Sequence, residues 1–557
     1  MLGGGGYERV LIFLLVTGGL LVTLMGCPKV YNSSEGWLAG VYNRGAVPQT
    51  YTLKVDESTV EIKTDTPIAR VTLDNLNKTK EQLPDKISVW TNKDNTEQSD
   101  IIGTKYAVTL GVYPKEDNRA SVGGAGVDRT GSYRIPSLAK IDVDGKTRLL
   151  AAFDVRYRGK FTGDGDVGQA SAFGSDIAVM YSDDGGQTWV NANPTKPLST
   201  AAVKPAMDVE NGYDEKGSQQ SQSQGKTLDV CDPQLTVHPD GSIYLGAAGG
   251  TGNFNGQTSN FRVFKSTDNG ETWTESSMSS ADNTKPDSFR NVWGGHSIGL
   301  TGSLKHVMTT PGHGIILTRD VPNTPGFKAG QAVMPVFNNW SNSGGNMGIY
   351  LATGVGAPET WQTSGFSPVQ RWNNVNIEEG IVCQLDDGSL LLYSKSYSTG
   401  NFAEFSRFVD NGWESVPEAD PFKKGVTGQV SILKVAEGDG SKCGVVAFSY
   451  SGQTTGNASS ASQGAGRGDI TVCLARDMTG LKNHNSPHPL DVNEPYYLKI
   501  RTQRQSYFGY TDLVMIDKNT LGVLYENYSN NDQNGLKFAR IDISEIIEKL
   551  SKTPEAK

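Results

Sequence analysis

Two short segments of this chain, SDDGGQTW at 182–189 and STDNGETW at 266–273, repeat one pattern, S-x-D-x-G-x-x-W. Asp and Gly stand where a tight turn needs a side-chain cap and a left-handed backbone position, and the Trp is large enough to lock that turn onto a neighbouring strand. Each segment follows a β-type run, DIAVMYS at 176–182 and FRVFKS at 261–266, so each reads as the corner of a hairpin laid down more than once. A hairpin repeated at distant points of one chain restricts the fold to a repeating all-β architecture, for which a propeller is the natural solution.

Composition agrees with that restriction. The 557 residues exceed one ordinary domain, and 66 glycines with only 20% charged residues suit an all-β protein rich in tight turns. From about 127 to 550, short strands alternate with Gly/Asn/Asp turns, and further corners with decayed turns stand at RFVDNGW (407–413) and LARDMTG (474–480). The net charge of −9 argues against nucleic acid or an anionic membrane surface as partner, since either would favour a basic face. Cys231, Cys383, Cys443 and Cys473 are widely spaced with no C-x-x-C pair, which disfavours a zinc cluster and favours buried thiols, with a disulfide left open.

The first 27 residues read as a targeting segment. Arg9 precedes the apolar run VLIFLLVTGGLLVTLM (10–25), after which LMGC (24–27) reads as a lipoprotein-type cleavage site with Cys27 as the lipidated residue. A membrane anchor is the alternative, although the run is short against the roughly 20 residues a span needs. The chain is therefore expected to be exported, at the cell surface or outer membrane or secreted. Residues 28–120 alternate with period two, as in TLKVDESTVEIK (52–63), and predict a small β-sandwich domain before the propeller. Ile541 to Leu550 carries apolar residues at helical spacing and predicts a short closing helix.

The two corners, with the segments between and after them, resemble the Asp-box (BNR repeat) sialidases, also called neuraminidases, of the bacterial exo-α type. The resemblance implies six blades and places site residues at five segments. SYRIPSL (132–138) matches the start of the propeller, where Arg134 would be the first arginine of a carboxylate-binding triad. LLAAFDVRYRGKFTGDGD (149–166) matches a strand and acidic loop in which Arg156 contacts ring substituents, and Asp164, with Asp166 as the alternative, is the acid/base. NIEEGIVCQLDDGSLLLYSK (376–395) places Glu379 on the catalytic glutamate but puts Lys395 where the family has its second triad arginine. A lysine can neutralise a carboxylate without reproducing the bidentate fork, and Arg407 on the next strand is a possible substitute donor. RGDITV (467–472) carries Arg467 as the final triad arginine. GYTDLVMIDKNTLGVLYE (509–526) carries Tyr510 as nucleophile and Glu526 as the residue that orients the first arginine. His313, in TTPGHGIIL (309–317), either approaches the aglycone or serves a structural turn, and Asp232, in CDPQL (231–235), is a further site candidate.

The residues explain one another chemically. A sialic acid carries a carboxylate on its anomeric carbon, so an anionic nucleophile would be repelled and a neutral phenol would not. A phenol with an ordinary pKa of about 10 needs an adjacent base, the role the resemblance implies for Glu379. Sialidases with a Tyr nucleophile are a recognised exception to the two-carboxylate rule for glycosidases. The expected activity is retaining hydrolysis of terminal sialic acids from glycoproteins, glycolipids and oligosaccharides, by a monomer needing no metal or other cofactor. A non-catalytic propeller binding sialylated glycans, and a trans-sialidase or intramolecular trans-sialidase, are the alternatives.

Overall fold

A computed structural model of the chain describes residues 52–55, 58–61, 68–71, 73, 89–91, 107–112, 132–156, 175–191, 230–250, 259–275, 307–338, 348–354, 377–396, 403–417, 429–452, 469–481, 487–501, 509–527 and 535–554. Apart from a two-stranded hairpin over 52–61, the strands among them form a six-bladed β-propeller, each blade a sheet of four or five strands. The first blade holds Ser132–Val143, Lys146–Arg156, Ser175–Ser182 and Val190–Asn191, and the second Val230–Val237, Ile243–Gly250, Ser259–Ser266 and Thr274–Glu275. The third is built on Ala332–Asn338 and Gly348–Gly354. The fourth runs from Ile377–Gln384 to Gly412–Ser415, the fifth from Ser431–Ala436 to Tyr496–Arg501, and the sixth from Thr511–Met515 to Gly535–Asp542. Innermost strands of successive blades lie side by side, and Thr511–Met515 lies against Ser132–Val143, which closes the ring.

Most strands are buried on both faces, because each blade is covered by a blade on either side. The core is accordingly a set of layers between blades. Leu149, Phe153 and Met180 of the first blade meet Leu524 and Phe538 of the sixth, and Ile177 and Leu150 meet Leu235 and Phe264 of the second. Tyr393 of the fourth packs on Phe448 of the fifth, ring centroids 5.2 Å apart.

The two repeated corners seal these layers at the rim. In the first, Ser182 Oγ donates to Asp184 Oδ1 (2.8 Å) and accepts from the Gly186 N–H (2.7 Å), and Asp184 caps the N–H groups of Gln187 and Thr188. Ser266, Asp268, Gly270 and Thr272 make the same bonds in the second. Gly185 and Gly186, like Asn269 and Gly270, hold the left-handed conformation that the sequence pattern predicts. Each corner presses on the preceding blade: Trp189 stands edge-on to Phe538 of the sixth blade at 5.1 Å, and Gly270 sits over Leu150 of the first. The decayed corners dock the same way. Asp410 N–H donates to the Pro322 carbonyl in the third blade, and Asp477 of the fifth accepts from the Asp386 N–H of the fourth at 2.7 Å.

The third blade departs from the repeat. Its innermost position is broken into Val307–Thr309, Gly312–His313 and Ile315–Ile316. The first and last pair with Ala332–Asn338, while Gly312–His313 leaves the blade to pair, in parallel, with Val230–Val237 of the second. This crossing segment bonds to the innermost strands around it. Ser137 Oγ donates to the Gly312 carbonyl, Gln234 Nε2 to the Thr310 carbonyl (2.6 Å) and Gln429 Nε2 to the Pro311 carbonyl (2.5 Å). His313 Nδ1 meets Asp512 Oδ1 at 2.7 Å. Gly312 adopts φ +118°, and a Cβ there would fall 2.1 Å from Ile381 Cδ1, so the crossing requires glycine.

Of the expected sandwich over 28–120, most residues lie outside those described. Those described make one hairpin, Thr52–Val55 with Ser58–Glu61, and three short strands that pair with the propeller's outer edges rather than with one another. Val89–Trp90 extends the fifth blade, and Ala107–Val112 and Ala69–Arg70 both pair with Gly535–Asp542 of the sixth. The physical reason is edge satisfaction: Gly535–Asp542 is the third strand of its blade and would otherwise present open backbone groups. The C-terminal helix spans Ser544–Ser551 and buries Ile546 and Leu550, whereas Ile541 belongs to the preceding strand. Cys231, Cys383, Cys443 and Cys473 are buried thiols not joined in disulfides. Among the described residues no helix is long and apolar enough to cross a membrane; Cys27 and the apolar run before it lie outside them.

Candidate active site

The innermost strands of the first, second and fourth blades share one irregularity near their N-terminal ends. Strand register breaks between Arg134 and Ser137, between Cys231 and Gln234, and between Glu378 and Gly380. Within each break one non-glycine residue is left-handed: Ile135 at φ 55°, Asp232 at 55° and Glu379 at 47°. A bulge bends the strand and re-aims the side chains around it, and a left-handed β-branched or acidic residue is strained unless its surroundings hold it there.

At Ile135 the hold is visible. Glu526, buried at the end of the second strand of the sixth blade, divides its carboxylate between two blades. Oε1 accepts from Arg134 Nε (3.0 Å) and the Ile135 N–H (2.9 Å), while Oε2 accepts from the Gly509 N–H (2.8 Å) and the Tyr510 N–H (3.2 Å). Four donors and one full counter-charge satisfy a carboxylate that burial alone would penalise heavily. The same carboxylate fixes Arg134 relative to Tyr510, whose ring centroid lies 5.3 Å from the guanidinium carbon, within cation–π range.

Tyr510 in turn donates from its hydroxyl to Glu379 Oε1 at 2.8 Å, and the other oxygen of that carboxylate, Oε2, takes a bond from Lys395 Nζ at 3.3 Å. The Lys395 side chain is 5% exposed and that of Glu379 20%, so the carboxylate is the member of this pair that opens to solvent. Arg134, Glu526, Tyr510, Glu379 and Lys395 thus form one continuous chain of contacts from the first blade through the sixth to the fourth. A phenol hydrogen-bonded to a carboxylate can lose its proton to it, and an adjacent guanidinium can hold an anion.

Other expected residues fall elsewhere. Arg407 is not near this cluster: it donates to Asp387 Oδ2 and to Ser389 Oγ at the Asp387–Gly388 turn and pairs with Glu414 on the outermost strand. Strand pairing sets it opposite Leu391, four residues down the strand from Lys395, so it cannot supply the missing fork. His313 is committed to Asp512 in the axial crossing. Arg156 ends the strand Lys146–Arg156; Asp164, Asp166 and Arg467 lie outside the described residues.

One buried acid beside the site received no role from the sequence. Asp154, paired across the first blade with Arg134, is fully buried, and its Oδ1 accepts the Asp232 N–H at 2.9 Å, which ties down the left-handed residue of the second blade. Its signal was present in FDVR (153–156), read there only as context for Arg156. Asp154, Cys231 and Asp232 place one ligand atom each within 4.8 Å of the others.

No protein-family model and no curated protein sequence matches the chain. Among solved structures it is similar to a Hadza microbial sialidase at 20% identity, over 74% of this chain and 66% of that one, with a TM-score of 0.46. It is similar to the intramolecular trans-sialidase from Ruminococcus gnavus at 18% identity, over 78% and 98% of the two chains, with a TM-score of 0.49. The NanB sialidase from Streptococcus pneumoniae aligns at 15% identity over 78% and 72%, with a TM-score of 0.48.

Proposed function

We propose that this protein is a retaining exo-α-sialidase that removes terminal sialic acids from glycoconjugates, exported and held at the membrane by a lipid on Cys27. The observation that carries the reading is the 2.8 Å bond from the Tyr510 hydroxyl to Glu379, beside a buried arginine. A phenol paired with a carboxylate base suits a substrate whose reacting carbon already bears a negative charge, where a carboxylate nucleophile would suffer repulsion.

In the first step Glu379 Oε1 takes the Tyr510 proton as the phenolic oxygen bonds to the anomeric carbon, and Asp164 gives its proton to the departing glycosidic oxygen. Asp166 is the alternative acid. Arg134 and Arg467 grip the carboxylate while positive charge builds on the ring, and Arg156 contacts the ring substituents. In the second step the Asp164 carboxylate takes a proton from water, the water oxygen displaces Tyr510 from the anomeric carbon, and Glu379 returns the proton to the phenolate. Two inversions give net retention.

Turnover of a fluorogenic sialoside by the wild type and by Tyr510→Phe tests the reading. Removing the nucleophile is expected to lower kcat by about a thousand-fold or more. A wild type without turnover overturns the hydrolase reading, and a Tyr510→Phe variant within tenfold of wild type overturns the role of Tyr510. Product NMR separates hydrolysis from transfer.

A further inference from the structure

We infer that Lys395 is a positioning residue for the base Glu379, and not the second arm of an anion clamp; the inference rests on the sialidase reading above. The Lys395 ammonium is buried in the second strand of the fourth blade and bonds to Glu379 Oε2 at 3.3 Å, leaving Oε1 to receive the Tyr510 hydroxyl at 2.8 Å. Strand pairing makes this partnership local and rigid. Lys395 stands opposite Glu378, and the register break between Glu378 and Gly380 puts Glu379 in the bulge, outside the regular pairing.

The bulge gives the lysine its task. Glu379 is left-handed at φ 47°, a conformation a non-glycine residue keeps only when its surroundings hold it. Gly380 follows it closely packed, since a Cβ there would lie 2.6 Å from the Ser394 side chain. With the backbone in a bulge and the side chain partly open to solvent, the carboxylate needs an anchor to present one defined oxygen. An ammonium on Oε2 supplies it. When Oε1 takes the phenol's proton the bond from Lys395 to Oε2 remains, so the base stays in place for its return.

An arginine at 395 would have offered a planar fork suited to gripping a substrate carboxylate from two sides. Lysine presents a compact charge, which one carboxylate oxygen already engages here. The substrate's anion would then depend on Arg467 and on Arg134, whose guanidinium is set beside Tyr510 by Glu526.

Steady-state kinetics of the full chain on a fluorogenic sialoside, with wild type, Lys395→Met and Lys395→Arg, separates the two roles. Positioning of the base predicts that Lys395→Met lowers kcat by about a hundred-fold with KM within about threefold, because the loss falls on the transition state. Lys395→Arg, which keeps a cation beside Oε2, is expected to recover at least tenfold of that loss with KM unchanged. A Lys395→Met variant that raises KM tenfold or more at nearly constant kcat overturns the inference, as does a Lys395→Arg variant that lowers KM below wild type. Should Lys395→Met fail to fold, the KM of Lys395→Arg decides between the same two outcomes. A wild type without turnover removes the sialidase reading itself, a result distinct from any change between variants.

Discussion

At the scale of single residues, burial decides which ion pairs matter. Glu526 and Arg134 are both essentially inaccessible, at 0% and 1% side-chain exposure, and removing one partner strands the other in a medium where its charge is poorly solvated. Glu526→Ala is therefore expected to cost about 3–5 kcal/mol of unfolding free energy, read from a denaturant midpoint. Glu548→Ala, which breaks the exposed pair with Lys552, should cost no more than about 0.5 kcal/mol. Equal midpoints would contradict this account of the Glu526 carboxylate. Residues of this kind were unequally legible. Tyr510, Glu379 and Glu526 stand in segments whose hairpin turns align them with the sialidase pattern, so their meeting was what that resemblance implied. The failure of Arg407 to reach the site could not: only the pairing of Leu391 with Arg407 shows how far down its strand it sits. Asp154 stood in the FDVR segment, but its tie to the second blade runs through the Asp232 backbone N–H, and a backbone group leaves no mark in sequence.

At the scale of elements, the repeated corner is a seal as well as a turn. Gly186 and Gly145 are both left-handed, at φ 88° and 77°, but a Cβ on Gly186 would fall 2.2 Å from a ring carbon of Phe538, while one on Gly145 would meet nothing within 4 Å. Gly145→Ala is expected to cost about 1 kcal/mol from backbone strain alone, and Gly186→Ala roughly 1–3 kcal/mol more from overpacking between the first and sixth blades. Thermal melts of the two variants check the order, and similar shifts would show that the corner does not bear on its neighbour. The Ser, Asp and Gly of the corner were readable because they act within eight residues of one another. Docking on the preceding blade was not, since Phe538 lies hundreds of residues away and carries no motif.

At the scale of the molecule, two features hold the ring together. Asp512 accepts from the Leu138 N–H of the first blade and from Ser431 Oγ of the fifth, and bonds His313 from the third. Ala107–Val112 adds a fourth strand to the last blade, with Leu110 buried in the layer beneath it. Period-two alternation over 28–120 predicted strands, but for the few described there it could not say which sheet they join, because edge pairing is made by backbone groups common to every residue. The propeller itself was legible, since two intact corners recur at the same place in successive blades. What the whole fold achieves is to bring Arg134, Glu379 and Tyr510, from three blades, to one end of the ring.

The central claim is that Tyr510 forms a covalent bond to the sugar, and trapping that bond is its most direct measurement. A sialosyl fluoride bearing an electron-withdrawing fluorine beside the anomeric carbon slows both steps, and its good leaving group lets the adduct form faster than it breaks down. Intact-mass and peptide mapping of the wild type after this treatment should show one added sugar on the peptide carrying Tyr510, and none in Tyr510→Phe. An adduct on any other residue, or turnover of sialosides with inversion at the anomeric carbon, would contradict the account.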